Sequence, residues 1–443
     1  MGTGRNIFHP EFKAKPYWWE AWEPTAAPSA DPASRVPVAI VGGGYAGLNA
    51  ALELKRSGVE AVVLEAQDFG LGASTRNGGQ VSSGVNIGKG LDGSGMPRDP
   101  GARARLAAAL MADASESFGF LEDVIRRESI DCRWERRGRF VGAYAARHYG
   151  ELAARAEVLN RDNGADARLL PRERQREEIA SDFYHGGLLV DRSGALHPAL
   201  YYKGLLEACR RQGVHLSARA EVTRIEGRRG AFRLRTSRGE IAAEEVVVAT
   251  NGYTGDATPR LKRRIIPLAS HIIATEELPV DLARSLIPNR RTISDTPRVL
   301  CYYRLSPDGR RMLFGGRARF TQVPPAVSAP ILHDFMVRRF PQLKEARVTH
   351  AWTGNVAFTF DYLPHMGEDR GLHYALGCNG SGIAMMSYLG HQIGRKIAGG
   401  GNRVTAFEDL PIPGHALYTG NPWFLPLVGG WYRFRDRIDR ALG

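Results

Sequence analysis

The apolar positions of residues 36–66 change their spacing twice. The run "VPVAIV", which starts at Val36, is short, apolar and rich in β-branched residues, and this predicts a buried strand. Apolar residues then recur at helical spacing from Leu48 to Leu54, and Gly58 marks the end of that helix. A second apolar run, "VEAVVLEA", predicts another strand. A strand, a helix and a strand within about thirty residues predict a βαβ unit.

The rest of the chain mixes helical and strand-like patterns. Residues 101–130 and 147–180 predict helices rich in Ala, Arg and Glu. A hairpin is predicted to end in the buried strand "VVVAT", and strand-like runs between 265 and 350 surround a helix near 330–340. Residues 372–400 predict a strand, a Gly-rich turn and a helix.

A dinucleotide fingerprint lies inside the βαβ unit. Gly42, Gly44 and Gly47 form G-x-G-x-x-G directly after a strand and at the start of a helix. The first glycine permits the tight turn, the second lets the backbone approach a pyrophosphate, and the third allows close helix–strand packing. Glu65 ends the second strand, where an acid would bond a ribose hydroxyl. This combination predicts a nucleotide site but does not separate FAD from NAD.

The segment "GLGASTRNGGQ", residues 70–80, decides between the two cofactors. Together with the fingerprint it resembles the FAD-dependent amine and amino-acid oxidoreductases of the D-amino-acid oxidase superfamily, most closely the γ-glutamylputrescine oxidoreductase-like branch. The segments "GALHPALYYKGLLEAC", "VVVATNGYT" and "WTGNVAFTFDYLPHMG" agree in order and spacing, as does "GCNGSGIAMMSYLGHQIG". The resemblance covers about residues 36–400.

The resemblance implies an α/β fold with an α+β substrate part, in which a Rossmann-like FAD-binding domain is interleaved with a mixed-sheet substrate domain. The predicted FAD-binding domain comprises 36–110, 185–258 and 351–400, and the substrate domain comprises 111–184 and 259–350. Residues 1–35 form an arm and linker, and 401–443 form an aromatic and basic tail.

The resemblance also assigns the cofactor-binding residues. Gly42, Gly44 and Gly47 would meet the pyrophosphate, and Glu65 the adenosine ribose. The remaining members would line the flavin, pack near the adenine or close the site: Ser74, Arg76, Asn77, Gly78, Gly79, Val222, Gly252, Gly380, Ser381, Gly382 and Ile383. Gly380, Ser381, Gly382 and Ile383 lie at a predicted helix N-terminus, which would stabilise negative charge on a reduced flavin.

Departures from the family pattern constrain the function. Sarcosine-oxidase-like members can carry flavin on a cysteine just before the "WTG"-like segment, where this chain has His350 and Ala351. We therefore predict non-covalent FAD. Amino-acid oxidases place an arginine two residues after the glycine of that segment, where this chain has Val356. An amine, or a substrate whose carboxylate lies further out, is favoured, and Arg304 or Arg317 is an alternative source of positive charge.

Five residues are candidates for contact with substrate: Tyr253, His271, Arg317, Trp352 and His365. Each also has a structural interpretation. Tyr253 could be a loop residue, and His271 could be a core histidine whose ring nitrogens are hydrogen-bonded. Trp352 could pack in the core, and Arg317 could form a salt bridge at the end of a strand. No metal motif and no Ser-His-Asp arrangement is found in the sequence.

The chain has 443 residues and a formal net charge of +13, with 52 arginines and eight lysines. The arginines are dispersed and often beside acids, which favours a solvated surface over a nucleic-acid stripe. Four scattered cysteines and no apolar leader predict a cytoplasmic protein. Aromatic residues beside arginines in 415–443 suit a peripheral membrane contact, or docking on the chain's own domain or on a second subunit.

The predicted function is FAD-dependent oxidation of a C–N bond by hydride transfer to flavin N5, which gives an imine that hydrolyses. The substrate is a small-molecule amine or amino acid, and the acceptor is oxygen or quinone. One alternative is a membrane-associated respiratory dehydrogenase of a cyclic or N-alkyl amino acid, of the L-pipecolate or sarcosine type. The non-enzyme alternative is a flavin-binding regulatory protein. An oligomer is compatible with the sequence.

Overall fold

A computed structural model describes residues 6–26, 29, 31–84, 97, 99–400, 405–408 and 410–442. Its strands are β1 Phe8–Lys13, β2 Arg35–Val41, β3 Ala61–Leu64, β4 Gln80–Ser82, β5 Arg139–Gly142, β6 Ala167–Leu170, β7 Gly187–Val190, β8 Ser193–Ala195, β9 His215–Ser217, β10 Val222–Arg228, β11 Ala231–Thr236, β12 Gly239–Val248, β13 Ile266–Thr275, β14 Thr292–Asp295, β15 Cys301–Leu305, β16 Met312–Gly316, β17 Val348–Phe358, β18 His365–Asp369 and β19 Leu372–Leu376. Its α-helices are α1 Tyr45–Arg56, α2 Pro100–Arg127, α3 Ala146–Asn163, α4 Pro198–Arg211, α5 Pro259–Lys262, α6 Val280–Leu286, α7 Pro325–Arg339, α8 Gly382–Ile397 and α9 Leu425–Leu442.

The predicted βαβ unit forms the centre of a mostly parallel sheet. β2 pairs in parallel with β3 and β12, β3 with β9, and β12 with β19, while β10, β11 and β18 add antiparallel neighbours. Alternate residues of β2 enter different cores, with Val38 and Ile40 on one face and Ala39 and Val41 on the other. Burial on both faces explains why the strand is apolar from Val38 to Val41. The Rossmann-like part of the prediction is confirmed.

Helices α1 and α8 cross closely on one face of this sheet. A Cβ atom added at Gly390 would overlap the backbone carbonyl of Ala46, and one at Gly394 would lie 2.9 Å from the carbonyl oxygen of Ala50. Two glycines on α8 therefore permit the approach. The contact sets the N-terminus of α8 beside the turn that follows β2.

A mixed sheet provides the second layer of the fold. Among the described residues its strand order is β1-β17-β13-β16-β15-β14-β5-β7-β6. One face packs on α7 around Tyr303, Phe314 and Phe340, where buried Asp295 pairs with Arg339. The other face lines a large cavity between the two sheets. The mixed substrate sheet is thus confirmed, while the residue boundaries of the two domains stay a prediction.

The sequence pattern is wrong over the second half of 147–180. Helix α3 ends at Asn163, and Gly164 adopts a left-handed φ of 59° as its cap. A strand, β6, and a short 3₁₀ helix at Arg172–Glu177 follow instead of a continuous helix. Arg- and Glu-rich composition favours a helix, but the glycine stop ends it before that preference can act.

Both ends of the chain dock on the fold. β1 pairs in parallel with β17, and the aromatic arm that follows buries Trp18 completely. At the other end, α9 places Asp436 and Asp439 against Arg298, with both carboxylates buried. Docking of the C-terminal segment on the chain's own domain was one of the alternatives that the sequence left open, and the described residues of α9 pack in that way. Within the described residues, none of the helices is both long and apolar enough to cross a bilayer.

Candidate active site

The glycine-rich turn after β2 has the shape that a pyrophosphate requires. Gly42 has a φ of +106°, and a Cβ atom there would lie 2.8 Å from the carbonyl oxygen of Ala249. A Cβ atom at Gly47 would overlap the carbonyl oxygen of Gly42. Gly44 precedes the first residue of α1, so the first helical turn, whose N–H groups have no partner within the helix, borders the cavity.

Glu65 braces this turn from the end of β3. Its Oε2 accepts a hydrogen bond of 2.8 Å from the Gly43 N–H, and its Oε1 accepts one of 3.1 Å from the Gln67 N–H. Burial raises the pKa of the Glu65 carboxyl, while these backbone bonds act in the opposite direction. Val222 lines the same end of the cavity. The predicted ribose and adenine residues are therefore neighbours in space.

The segment 70–80 is held in shape by its own side chains. Ser74 Oγ accepts from the Tyr45 N–H at 3.3 Å, which ties the segment to α1. Asn77 donates through Nδ2 to the Ser74 carbonyl at 2.9 Å and accepts from the Gly79 N–H at 3.0 Å. The segment thus forms one wall of the cavity, which Ser74, Arg76, Asn77 and Gly78 line.

The N-terminal aromatic arm supports this wall from behind. Trp18 donates through Nε1 to the Asn77 carbonyl at 2.8 Å, and Trp19 donates to Thr75 Oγ1 at 3.0 Å. The Arg76 guanidinium lies over the Trp19 ring, 4.7 Å from its centroid. The sequence showed only a cluster of aromatic residues, and nothing in it identified residues 70–80 as their partner.

The Gly-rich turn before α8 forms the opposite wall. Ser381 Oγ lies 2.8 Å from Ser82 Oγ and donates to the Gly84 carbonyl at 3.2 Å. Asn251 and Asn379 both adopt left-handed backbone, with φ of 44° and 46°. Asn251 Oδ1 accepts from the Gly377 N–H at 3.0 Å, which joins the two turns. Helix α8 starts at Gly382, so the N–H groups of its first turn border the cavity, and their contact with the flavin pyrimidine edge stays a prediction.

These walls enclose one continuous cavity of about 1800 Å³. Its volume exceeds the ~300–1000 Å³ of an ordinary small-molecule site. The cavity runs from Glu65 past the glycine turn to the mixed sheet, with helix N-termini at two points for anionic groups. FAD fits this donor set: Gly42–Tyr45 would hold its pyrophosphate, and residues 74–78 and 380–383 would hold the flavin.

The floor of the cavity is the mixed sheet. Tyr302 Oη and Ser270 Oγ lie 2.8 Å apart on this floor. The Tyr302 ring lies across Gly315, where any Cβ atom would overlap it, and 2.8 Å from an ideal Cβ position at Gly78. Burial raises the pKa of Tyr302 to about 12. The sequence analysis missed Ser270 and Tyr302, because their convergence depends on the pairing of β13, β16 and β15.

Two substrate candidates line the cavity. Tyr253 follows β12 at the cavity mouth with half of its surface exposed, and burial of the rest raises its pKa. Arg317 follows β16; it donates through Nη1 to the Arg298 carbonyl at 3.0 Å and lies 5.0 Å from the centre of the Phe358 ring. No carboxylate pairs with Arg317 within the described chain. Burial lowers its pKa.

The other three candidates lie away from the cavity surface. His271 contacts the Thr321 carbonyl at 3.3 Å, and His365 contacts the Asp361 carboxylate at 3.0 Å. Trp352 donates to the Arg76 carbonyl at 2.7 Å and packs on Trp18. Trp352 matches its interpretation as core packing, and His271 is buried as expected of a core histidine, although its Nδ1 has no hydrogen-bond partner among the described residues. Contact of any of the three with substrate stays a prediction.

The predicted cofactor residues differ in their position relative to the cavity. Gly47 and Gly79 lie behind the wall, whereas Gly252 and Ile383 line it. Arg304, the alternative to Arg317, donates to the Gly79 carbonyl at 3.1 Å and to the Leu196 carbonyl at 2.9 Å, so it supports the wall from the back.

A cysteine does reach the cavity. Cys378 lines the turn before α8, whereas Cys132, Cys209 and Cys301 are buried elsewhere, and all four are free. His350 and Ala351 lie on β17, as the sequence analysis places them, and both are buried. Non-covalent attachment of FAD therefore stays a prediction, and Cys378 is the residue on which its test should focus.

A parallel sheet with a glycine-rich turn, a second mixed sheet and a long cavity between them define a dinucleotide-binding oxidoreductase fold. Residues 37–395 match the family "FAD dependent oxidoreductase". The chain is 33% identical to gamma-glutamylputrescine oxidoreductase of Escherichia coli strain K12 over 407 residues, which cover 90% of this chain and 93% of that protein. Glycine oxidase of Geobacillus kaustophilus strain HTA426 is 23% identical over 85% of this chain and 96% of its own.

Solved structures share the fold. Glycine oxidase from Geobacillus kaustophilus matches with a TM-score of 0.67 at 22% identity, over 87% of this chain and 99% of that one. L-proline dehydrogenase from P. horikoshii matches with a TM-score of 0.66 at 18% identity, over 91% and 99%.

The chain belongs to the FAD-dependent oxidoreductases of the D-amino-acid oxidase superfamily. It is an enzyme that uses FAD to oxidise a C–N bond of an amine or amino acid. The predicted family, fold class, cofactor and reaction type are thereby confirmed. The residue assignments within the site stay predictions.

Proposed function

We propose that the chain oxidises the terminal C–N bond of an amine whose carboxylate lies far from the oxidised carbon, as in γ-glutamylputrescine. The observation that carries the proposal is the side chain of Val356, which lines the cavity on β17. Superfamily amino-acid oxidases are expected to carry an arginine there, for bidentate binding of an α-carboxylate. An apolar side chain at that point suits an unsubstituted methylene. The relative from Escherichia coli, whose name states that substrate, supports the same choice.

When bound, FAD would supply the acceptor for a hydride from the carbon next to nitrogen, and water would hydrolyse the imine product. The residues of the chain bind the amine, orient it and exclude water. Desolvation in the cavity favours the uncharged amine that this reaction needs. Tyr302 stays protonated at neutral pH because burial raises its pKa to about 12. Its hydroxyl, 2.8 Å from Ser270 Oγ, therefore orients the substrate through hydrogen bonds and does not act as a base.

A second candidate function is oxidation of a cyclic or N-alkyl amino acid of the L-pipecolate or sarcosine type. Arg317 favours it, because this cation lines the cavity and no described acid neutralises it. With Nη1 on the Arg298 carbonyl, the remaining N–H groups of the guanidinium can bind a carboxylate. In that case the carboxylate would lie within three bonds of the oxidised carbon, close to the flavin.

Anaerobic reduction of the bound flavin separates these functions. The loss of flavin absorbance reports the rate of reduction. The substrates are γ-glutamylputrescine, putrescine, L-pipecolate, sarcosine and glycine. We expect γ-glutamylputrescine to reduce the flavin fastest, with Arg317→Met changing the rate for sarcosine more than that for the γ-glutamyl amine. Faster reduction by L-pipecolate or sarcosine would refute the first function. Reduction by none of the amines would favour a flavin-binding regulatory protein.

We also propose that the outer face of α9 contacts an anionic lipid surface. Trp423, Leu427, Trp431 and Phe434 are 61%, 71%, 54% and 54% exposed. The Arg435 guanidinium lies 5.6 Å from the Trp431 ring centre, and Arg437 is exposed nearby. Aromatic rings beside arginines match the interface of a membrane whose headgroups are negative. The inner face stays on the chain through Asp436 and Asp439, so docking on the chain's own fold and contact with lipid are compatible.

Sedimentation with lipid vesicles tests this surface. We expect binding to mixed phosphatidylglycerol and phosphatidylcholine vesicles, weaker binding to phosphatidylcholine alone, and loss of binding in the double variant Trp431→Ser, Phe434→Ser. Val327→Ser, at an exposed site on α7, is the matched control. A second copy of the chain is the covering partner if the double variant instead dissociates an oligomer.

Oxygen uptake measured against quinone reduction identifies the electron acceptor.

A further inference from the structure

One end of the cavity, lined by β5, β14 and α3, carries an arginine that forms no salt bridge within the described residues. Arg139, on β5, donates from Nε and Nη2 to Ser294 Oγ, at 2.9 and 2.6 Å. Arg155 lines the same end from α3. The Ser294 hydroxyl thus accepts from two N–H groups of the Arg139 guanidinium. The remaining N–H groups of Arg139, and those of Arg155, have no hydrogen-bond partner in the described part of the chain. This arrangement leaves two positive charges facing a cavity.

The neighbouring charges are already paired. Arg147 binds the buried Asp439, and Arg161 binds Asp162 at 2.7 Å. Asp295, next in sequence to Ser294, points to the opposite face of the sheet and binds Arg339. Within the described chain neither Arg139 nor Arg155 forms a salt bridge, although Glu151 lines the same end and the charge of Asp295 acts on Arg139 through the sheet. Burial, and then the positive charge of Arg155, lower the pKa of Arg139 to about 10. An anion between the two would relieve this cost.

The sheet register determines how far this end lies from the flavin wall. The Tyr302 ring on β15 meets Gly78 of that wall, and Ser294 is its cross-strand partner on β14. Arg139 lies on β5, one strand further. Two strand spacings amount to about 10 Å. A carboxylate bonded to the oxidised carbon cannot reach that far, but one at the opposite end of an extended amine can.

We propose that Arg139, Arg155 and Ser294 form a subsite for the distal carboxylate of the amine substrate. Glu151 lines the same end one helical turn before Arg155, where it can attract the ammonium group of an amino-acid head. The subsite thus selects amines that carry a zwitterionic head remote from the reacting end. This inference rests on the proposed oxidation of a terminal amine and adds the feature that discriminates between such amines.

Paired substrates test the subsite in the holoenzyme. γ-Glutamylputrescine carries the distal head, whereas N-acetylputrescine has the same amide and amine without it. We expect Arg139→Gln to raise KM for the first substrate roughly 10- to 100-fold, the range of a lost charge-assisted contact, with little change in kcat. The kcat/KM for N-acetylputrescine should stay unchanged. Arg139→Lys should restore part of the affinity, and Arg338→Gln, an exposed site on α7, should change neither substrate.

The outcomes separate this inference from the proposed function. If the wild-type enzyme oxidises neither substrate, the proposed function is refuted. If it oxidises both with equal kcat/KM, terminal amine oxidation stands and the subsite is refuted. If Arg139→Gln lowers kcat/KM equally for both substrates, Arg139 only supports the sheet. Circular dichroism and flavin content, measured on every variant, show whether the fold and the FAD site are intact. If Arg139→Gln does not fold, the same comparison of the two substrates is made with Arg139→Lys.

Discussion

The N-terminal arm should control FAD binding although it lies outside the matched family region, which starts at residue 37. Trp18 is fully buried, and its Nε1–H donates to the carbonyl of Asn77 at 2.8 Å. Trp18→Phe keeps an aromatic ring in the same space and removes only this donor and part of the ring volume. The change therefore tests whether the arm positions the flavin wall.

The structure sets the expected magnitude. The Asn77 carbonyl would lose its indole partner in a site that water reaches poorly, and such an unsatisfied group costs ~1–3 kcal/mol. If the wall is ordered only when FAD is bound, the variant loses this free energy in the holoprotein and not in the apoprotein. The Kd for FAD then rises roughly 5- to 150-fold. Trp18→Ala adds a cavity of a whole indole, and we expect ~3–5 kcal/mol of lost stability as well.

The assay is titration of apoprotein with FAD, followed by quenching of flavin fluorescence, together with thermal unfolding of the apoprotein. Trp423→Phe, at an exposed position on the C-terminal segment, is the matched control. An unchanged Kd in Trp18→Phe, with a lower Tm of the apoprotein, would refute the argument, because the arm would then stabilise the fold without shaping the FAD site.

Three further predictions concern the cofactor site. Gly47→Ala should abolish FAD binding, seen as loss of flavin absorbance relative to protein, because its Cβ would overlap the Gly42 carbonyl; Gly150→Ala on α3, which meets nothing within 4 Å, should keep the flavin. Burial raises the pKa of Glu65 above its ordinary 4.5, so the charged carboxylate costs the apoprotein stability as pH rises through that shifted pKa. The Tm of the wild-type apoprotein should therefore fall as the pH rises above 4.5, whereas the Tm of Glu65→Gln, which cannot ionise there, should fall less. Glu65→Gln also loses one of the two acceptors for backbone N–H groups, so it should bind FAD more weakly. A Tm difference independent of pH would contradict the pKa argument. Acid precipitation should release all flavin into solution, in wild type and in Cys378→Ser alike, and flavin retained only by the wild type would identify Cys378 as a covalent link.

The sequence determined the parts of this protein that depend on neighbours along the chain. A β-branched apolar run, helical spacing and a glycine turn are local features, so the βαβ unit and its G-x-G-x-x-G turn could be predicted from residues 36–66 alone. The helix predicted over 147–180 shows the limit of local reasoning, because Gly164 stops α3. Family resemblance then supplied the cofactor and the reaction class.

Only the tertiary structure decided which side chains share the cavity. Ser270 and His271 are adjacent on β13, yet Ser270 lines the cavity and His271 faces away, because side chains alternate along a strand. Tyr302 and Arg139 reach the same floor through pairing of strands far apart in sequence, and Trp18 reaches Asn77 across 59 residues. Register and packing of distant segments place these residues, and neither leaves a periodic signal in the chain.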